Sequence, residues 1–564
     1  MGRWAGRLWA LLLGAPLALA FPRPGWWWLA LVGLVPLLLL AMDAPSGPEA
    51  GVRAWLGGTG FFLAVNAFLF PVVGPFLVPL AMLLGVTWLP VGWLTRSLLG
   101  GPADRDPGAS DRDPGASDRD PPVPGAPTGR VAQPREAGAG VSTGPTPARP
   151  GPTPGRLGAA LVLVPAGFVV GEAVRSWDAL GGPWGLLGAS QWNAPVLLSL
   201  AALGGVWAVS FLLVAVNLAV AAAVRAPTPG PTRALAAAVA AALPLAVAGF
   251  WAWRPPPAPA GTARVAFVQP GVVGPVEERF RASERLSRSL PAGVRPDLLA
   301  WGESSVGRDP SANPGDVARL AATARAAGAP VLAGVDAVRA GEGGGIYKSA
   351  LLVGPDGVLG SYDKMRLVPF GEYVPLRPLL GWVTRFTDAA KVDRHRGTHL
   401  AVLDAGGLAV GPLICFESAF PDLARNLAGS GAEVIVVQTA DTTFQGSWGL
   451  DQHASLSAVR AVESGRPVVQ AAISGTSAAF DARGRRLAWA PAPFRGAAVV
   501  TLPLTVERTP YVRVGDVVPL ACGLALVVGA AVAAVRRRRG GVSPGDSGRR
   551  TGSTPRRLPA RPRP

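Results

Sequence analysis

The sequence predicts two structural classes in one chain: a multi-pass α-helical membrane domain of about eight spans, and an α/β domain of soluble composition. Three observations carry this. Of the 564 residues, 49% are hydrophobic and only 16% charged, the balance of a membrane protein rather than a soluble enzyme. Apolar runs long enough to cross a bilayer recur up to Trp253 and once more near the C-terminal end. Between them, residues 262–505 switch to short apolar runs alternating with helical patterns, which argues for stacked sheets with helices outside.

Residues 1–99 hold four expected spans, at Leu8–Phe21, Trp26–Met42, Trp55–Phe70 and Phe76–Leu99, with Pro71 and Gly74 separating the last two. Arg3 and Arg7 ahead of the first run and Ala18-Leu-Ala20 behind it also fit a signal peptide. The further spans that follow at once favour an uncleaved first span. Residues 100–156 differ: Asp104–Ser110 repeats as Asp111–Ser117 and starts again at Asp118, and Pro, Gly, Ala and Arg fill the rest. Such a segment buries too little apolar surface to offset its ordering entropy, so it is expected to be a disordered insert without chemistry.

Residues 157–253 supply three more spans, Leu157–Val174, Ala194–Val220 and Ala234–Trp253. The loop Gly181–Trp192 is too rich in Gly and Trp for a plain connector, and aromatic residues of this kind belong at the outer membrane surface. A Pro-rich linker starting at Arg254 leads to the α/β domain. Its expected strands are Val265–Val268, Leu298–Trp301, Val331–Gly334, Ala350–Val353, Ala409–Ile414, Val434–Gln438 and Val468–Ala472; its expected helices are Val317–Ala327 and Leu450–Glu463. Residues 515–535 hold the eighth span, Val517–Val535, and 536–564 form a basic tail.

The net charge of +17 would suit a nucleic-acid partner, but its distribution does not. The tail alone holds ten arginines against one acid, Asp546, and a polybasic run directly after an apolar helix is a cytoplasmic membrane flank. Arg3, Arg7, Arg53, the insert, Arg225, Arg233 and the tail all fall on one side of an eight-span arrangement. Both termini are then cytoplasmic and the α/β domain lies outside the cytoplasmic (inner) membrane. The two cysteines, Cys415 and Cys522, imply no disulfide scaffold.

Three stretches carry chemistry. Gly411-Pro-Leu-Ile-Cys415-Phe-Glu417 ends a buried strand on a thiol, with a helical stretch from Ser418 following; a helix N-terminus there would lower the thiol pKa. Asp297-Leu-Leu-Ala-Trp301-Gly-Glu303 ends a strand on a carboxylate. Ser361–Glu372 carries Lys364, one of only three lysines, with Lys348 and Lys391, among 53 basic residues. A compact ammonium suits work beside a thiol that arginine cannot do. A thiol nucleophile, a carboxylate to take its proton and a cation to hold an oxyanion form a covalent-catalysis set. A small buried core residue is the plainer reading of Cys415 alone.

These stretches resemble the Glu-Lys-Cys triad of the nitrilase (carbon–nitrogen hydrolase) superfamily. With the membrane spans, nearly the whole chain resembles the bacterial apolipoprotein N-acyltransferase family. The resemblance implies a four-layer αββα sandwich on the outer face of the membrane, with Glu303 as general base, Lys364 as oxyanion stabiliser and Cys415 as nucleophile. It implies a phospholipid acyl donor, a Cys415 thioester, and the N-terminal amine of a diacylglyceryl apolipoprotein as acceptor, with no cofactor. Glu372 and Glu417 match acidic positions of the family and are expected to orient Lys364 and tune the thiol. Phe416 stands where the family commonly has Tyr, and Ala189 where its outer loop often carries an aromatic. Ala440-Asp-Thr-Thr-Phe444-Gln departs from a pattern closer to Asn-Asp-Ala-Trp-Phe-Gly, which bears on the pocket lining more than on the triad.

Phe416, Trp382 and Phe386 are the candidate substrate contacts. The last two lie in Pro375–Arg396, where Leu379, Leu380, Trp382, Val383 and Phe386 sit among basic residues. That pattern fits a mobile arm dipping into lipid and equally a helix packed on the domain surface. No metal site is expected, since Gly397 between His395 and His399 spoils a helix, no acidic or Cys ligand cluster lies nearby, and the chain has only one other His. Two other functions remain open: a membrane-anchored amidase or nitrilase-type hydrolase with water as acceptor, and a non-catalytic envelope scaffold. Seven spans ahead of the domain favour a lipid substrate, because one anchor would serve a soluble one.

Overall fold

The computed structural model describes residues 2–100, 153–180, 182–226, 230–253, 255–291, 293–339, 345–385 and 392–540. Most of the expected insert, the last part of the tail and Phe386 therefore lie outside the described residues.

Among the described residues, five helices have the length and apolar composition to cross a membrane by themselves: Ala67–Leu99, Pro154–Arg175, Ala201–Arg225, Pro231–Trp253 and Val517–Arg538. Of the other three expected spans, two form interrupted elements and one a continuous helix in the same bundle. The first is the helix Arg3–Gly14 followed by a 3₁₀ stretch, Ala15–Ala20, in which Pro16 withholds a backbone donor. The second is split into Trp27–Leu31 and Val35–Met42. The third runs from Gly47 to Val65, capped by the Ser46 side chain accepting from the Glu49 N–H.

The broken backbone is satisfied inside the protein. Asn217, fully buried, accepts from the Leu34 N–H at 2.8 Å and donates to the Ala30 carbonyl at 2.8 Å, closing the gap between the two pieces of the second element. In hydrocarbon no water could do this. Arg3–Gly14 and Gly47–Val65 approach closely through glycines: a Cβ on Gly14 would stand 1.8 Å from the Gly57 carbonyl oxygen.

The α/β domain contains two six-stranded sheets. The first has the order β12-β1-β2-β3-β4-β5 and the second β11-β10-β9-β8-β7-β6. In the first sheet β1 is Thr262–Gln269, β2 Leu298–Trp301, β3 Val331–Arg339, β4 Gly345–Gly354, β5 Gly357–Asp363 and β12 Gly496–Pro503. In the second, β6 is Leu403–Asp404, β7 Ala409–Ile414, β8 Val434–Thr439, β9 Val468–Ala472, β10 Ser477–Phe480 and β11 Arg486–Ala490. The runs β1–β2–β3 and β7–β8–β9 are parallel, so their carboxyl ends lie along one edge. All seven expected strands are present, three with the expected bounds and the others longer.

Alternation along the strands decides the layers. Val265 and Phe267 of β1 face Val434 and Val436 of β8 in the core between the sheets. Ala266 and Val268 point the other way, onto the helices Val276–Arg288 and Pro314–Ala327. Ile435 and Val437 of β8 face the helices Pro421–Gly429 and Gly449–Ser464 in a third core. That core does not end at the helices. It continues into Leu213, Val214 and Leu218 of Ala201–Arg225 and on through the membrane bundle. Every residue of Gly449–Ser464 is buried, polar ones included.

Candidate active site

The strand ends bring the expected residues together. Glu303 follows β2 through Gly302, whose Cβ position lies 2.6 Å from the Ile473 nitrogen and 2.8 Å from the Thr439 carbonyl oxygen. Only glycine lets β2 approach the second sheet so closely. Gln438 ties the same edge by donating from Nε2 to the carbonyls of Trp301 and Leu332, at 2.7 and 3.0 Å.

Glu303 is buried. Its Oε1 accepts from Lys348 Nζ at 2.7 Å and from Lys364 Nζ at 3.2 Å, while Oε2 accepts from the Ala440 N–H at 3.2 Å. Glu372 Oε1 faces the same two ammoniums, Lys364 at 2.8 Å and Lys348 at 3.2 Å, and its Oε2 accepts from the Val368 N–H at 2.9 Å. Two carboxylates and two lysines thus form a closed square. Burial favours the neutral acid at Glu303, but the two lysines outweigh it and hold the carboxyl well below its usual range. Burial likewise acts against the charge on Lys364, and Glu303 and Glu372 overcome it, keeping the ammonium charged.

Cys415 begins a 3₁₀ turn, Cys415–Ala419, with φ +54°, a left-handed conformation uncommon for a residue with a Cβ. Its thiol is 3.7 Å from Thr439 Oγ1. The expected lowering of the thiol pKa is corrected: burial and the Glu303 charge push it well above its ordinary value, against the opposing pull of Lys364. The turn is too short and too buried for its N–H dipoles to prevail.

Glu417 is also fully buried, but it does not reach the thiol through any of its hydrogen bonds. Oε1 accepts from the Tyr362 hydroxyl (2.7 Å) and the N–H groups of Met365 (2.7 Å) and Arg366 (3.0 Å), and Oε2 from the Ile414 N–H (2.8 Å). It braces the segment carrying Lys364 against the strand carrying Cys415. Glu372 bonds Lys364 directly, as expected.

Sequence reasoning missed Lys348 and His453. Lys348 lies inside β4, opposite Asp336 of β3, and its one signal was the scarcity of lysine. His453, on the buried helix, faces Asp441 Oδ1 with Nδ1 at 2.9 Å and the Cys415 carbonyl with Nε2 at 3.0 Å. Burial works against its charge, yet Asp441 raises its pKa above the ordinary imidazole value. Cys415, Asp441 and His453 form a group of donor atoms within 4.8 Å of one another, the spacing of a soft metal site. With both imidazole nitrogens already engaged, the arrangement works as a clamp on the Cys415 turn.

An aromatic row leads from the bundle to the thiol. Phe444 meets Phe68 at 5.2 Å, Phe68 meets Trp184 at 5.3 Å, and Trp184 stacks on Phe416 at 6.3 Å. Arg175 fixes the Trp184 loop by donating to the carbonyls of Trp184 and Gly185, at 2.6 and 3.0 Å. Trp382 lies elsewhere, half-exposed and 5.5 Å from Phe76 of the bundle.

Residues 264–511 match the carbon-nitrogen hydrolase family, and residues 13–103 with 148–219 match the apolipoprotein N-acyltransferase N-terminal domain. The chain is 30% identical to the apolipoprotein N-acyltransferase of Azotobacter vinelandii over 572 residues, covering 96% of this chain and 97% of that one. The chain belongs to the apolipoprotein N-acyltransferase family. The Geobacter metallireducens member is 31% identical over 387 residues, covering 66% of this chain and 73% of its own. Among solved structures, an amidase of the nitrilase superfamily from Nesterenkonia AN1 aligns with 43% of this chain and 90% of its own, at 24% identity and a TM-score of 0.32. In this family member Glu303, Glu372 and Lys364 meet in one place, and the thiol is on the adjoining turn.

Proposed function

We propose that this protein moves an acyl chain from a phospholipid to the N-terminal amine of a diacylglyceryl apolipoprotein, through a thioester on Cys415. The observation that carries the reading is the convergence of Glu303, Lys364 and the strained Cys415 turn at the end of an aromatic row rooted in the membrane bundle.

The Cys415 proton passes to Glu303 as sulfur bonds to the ester carbonyl carbon. Lys364 faces the oxyanion that results. Collapse expels the lysophospholipid alkoxide, which takes the proton back from Glu303, leaving the acyl thioester. The free amine of the acceptor attacks next, and the thiol leaves with the amine proton, restoring the enzyme. Phe416, Trp184 and Phe68 offer an apolar wall for the chain being moved, and Trp382 a contact at the lipid surface. The protein is a bacterial membrane protein with both termini on the cytoplasmic side and the α/β domain outside.

The test uses purified protein in detergent with phospholipid and a diacylglyceryl-cysteine peptide, read by peptide mass. Wild type adds one acyl chain and Cys415→Ala adds none. Release of free fatty acid instead would make the protein a hydrolase, and no change in either substrate would leave a scaffold.

A further inference from the structure

Two of the three lysines in the chain meet at one pair of carboxylates, and the reaction just described uses only one of them. Lys348 is not a surface residue: its side chain is 11% exposed, and β4 carries it under the site. It faces Glu303 at 2.7 Å, Glu372 at 3.2 Å and Asp336 at 3.7 Å, and Arg394 covers the far side of Asp336 at 3.4 Å. Lys364 lies across the square, and Cys415, Asp441 and His453 complete the ionisable groups beyond Glu303.

We propose that Lys348 is a positioning residue that acts through Glu303, keeping the buried site electrically neutral while the oxyanion forms. The inference rests on the thioester reading above.

The charges make the case. At rest, Glu303 and Glu372 carry two negative charges and Lys348 and Lys364 two positive ones. When Glu303 takes the thiol proton, one negative charge moves to sulfur and then to the carbonyl oxygen. The total remains zero at each stage. With Lys364 alone, the same site would hold a net negative charge throughout, and an oxyanion would form beside an unbalanced carboxylate in a poorly solvated pocket. Repulsion of that kind is large where water is excluded. The second lysine also has a cost. It lowers the proton affinity of the group that must accept the thiol proton, so its net benefit depends on the oxyanion being held more strongly than the proton transfer is hindered.

The test measures acyl-enzyme formation with phospholipid and no acceptor, by intact mass across a pH series. Lys348→Gln keeps donors to both carboxylates and removes the charge. Thioester formation is expected to fall about 100-fold. Its acid limb should move up by about one pH unit, because Glu303 gains proton affinity when a cation leaves. Lys348→Arg should keep the limb in place. Glu372→Gln added to Lys348→Gln restores neutrality, so the double variant should lose less than the two single losses multiplied. Lys348→Met replaces the glutamine variant if that one fails to fold. A wild-type rate and pH profile in the uncharged variant, or strictly multiplicative losses in the double, would overturn the proposal. Wild type that forms no thioester overturns both this inference and the reading it rests on.

Discussion

A single carboxylate with four donors shows how tightly this site is specified. Glu417 has three hydrogen bonds on one oxygen and one on the other, so an amide in its place must turn its NH₂ toward an N–H or a hydroxyl whichever way it is oriented. Glu417→Gln should therefore destabilise the protein by about 1–3 kcal/mol. It should also slow thioester formation, by loosening the Lys364 segment from the Cys415 turn. A thermal melt in detergent, paired with the acyl-enzyme rate, checks both; unchanged values would mean the brace is dispensable. At this scale the sequence was informative where a candidate site residue ends a strand. Glu303 and Cys415 were readable that way, and Lys364 follows β5 directly. Lys348 and His453 were not, because a lysine within a strand and a histidine on a helix look like ordinary residues until the opposing element is in place.

Among the elements, Gly449–Ser464 departs most from expectation. Its periodicity identified a helix within a residue at either end, but not what would cover it. The reason is visible in its composition: Ala454, Ala458 and Ala461 are small and lie in the core shared with the membrane helix Ala201–Arg225. That partner is itself broken at Gly204–Gly205, where a Cβ on Gly205 would meet the Tyr511 ring at 2.7 Å. The Val206 N–H freed by the break donates to Glu463 Oε1 at 2.7 Å. Burial pushes the Glu463 carboxyl up to about 7, although Arg460 opposes the shift. The folded protein then keeps a proton that the unfolded chain loses at lower pH. Stability contributed by this proton is present below the unfolded pKa and is lost as pH rises to about 7. Glu463→Gln should flatten the fall in melting temperature across that window; a slope equal to wild type would place the titrating group elsewhere.

For the whole molecule, counting apolar runs and arginines gave eight spans, and five helices satisfy length and hydropathy on their own. The first two spans were legible as apolar but not as interrupted, since the interruption of the second depends on partners such as Asn217 that replace the missing backbone bonds. The two halves of the chain also meet through Asp178, next to the Trp184 loop, which pairs with Arg396 and lies 3.8 Å from Arg366. The Pro375–Arg396 stretch ends in this contact, and Trp382 rests on Phe76. If that stretch engages lipid, Trp382→Glu should cut transfer about tenfold in reconstituted vesicles, since a charge is costly to place in an apolar membrane setting. An unchanged rate would make it a packed surface turn.

The shared core has a further consequence for how such an enzyme can change. In a free-standing sandwich, the outer helices of both sheets keep a polar face toward water, and substitutions there are cheap. Here the helix Gly449–Ser464 has no such face, because its far side is the packing surface of the bundle. Substitutions in Gly449–Ser464 must suit a sheet on one side and a membrane helix on the other. The catalytic half and the membrane half are therefore bound to vary together.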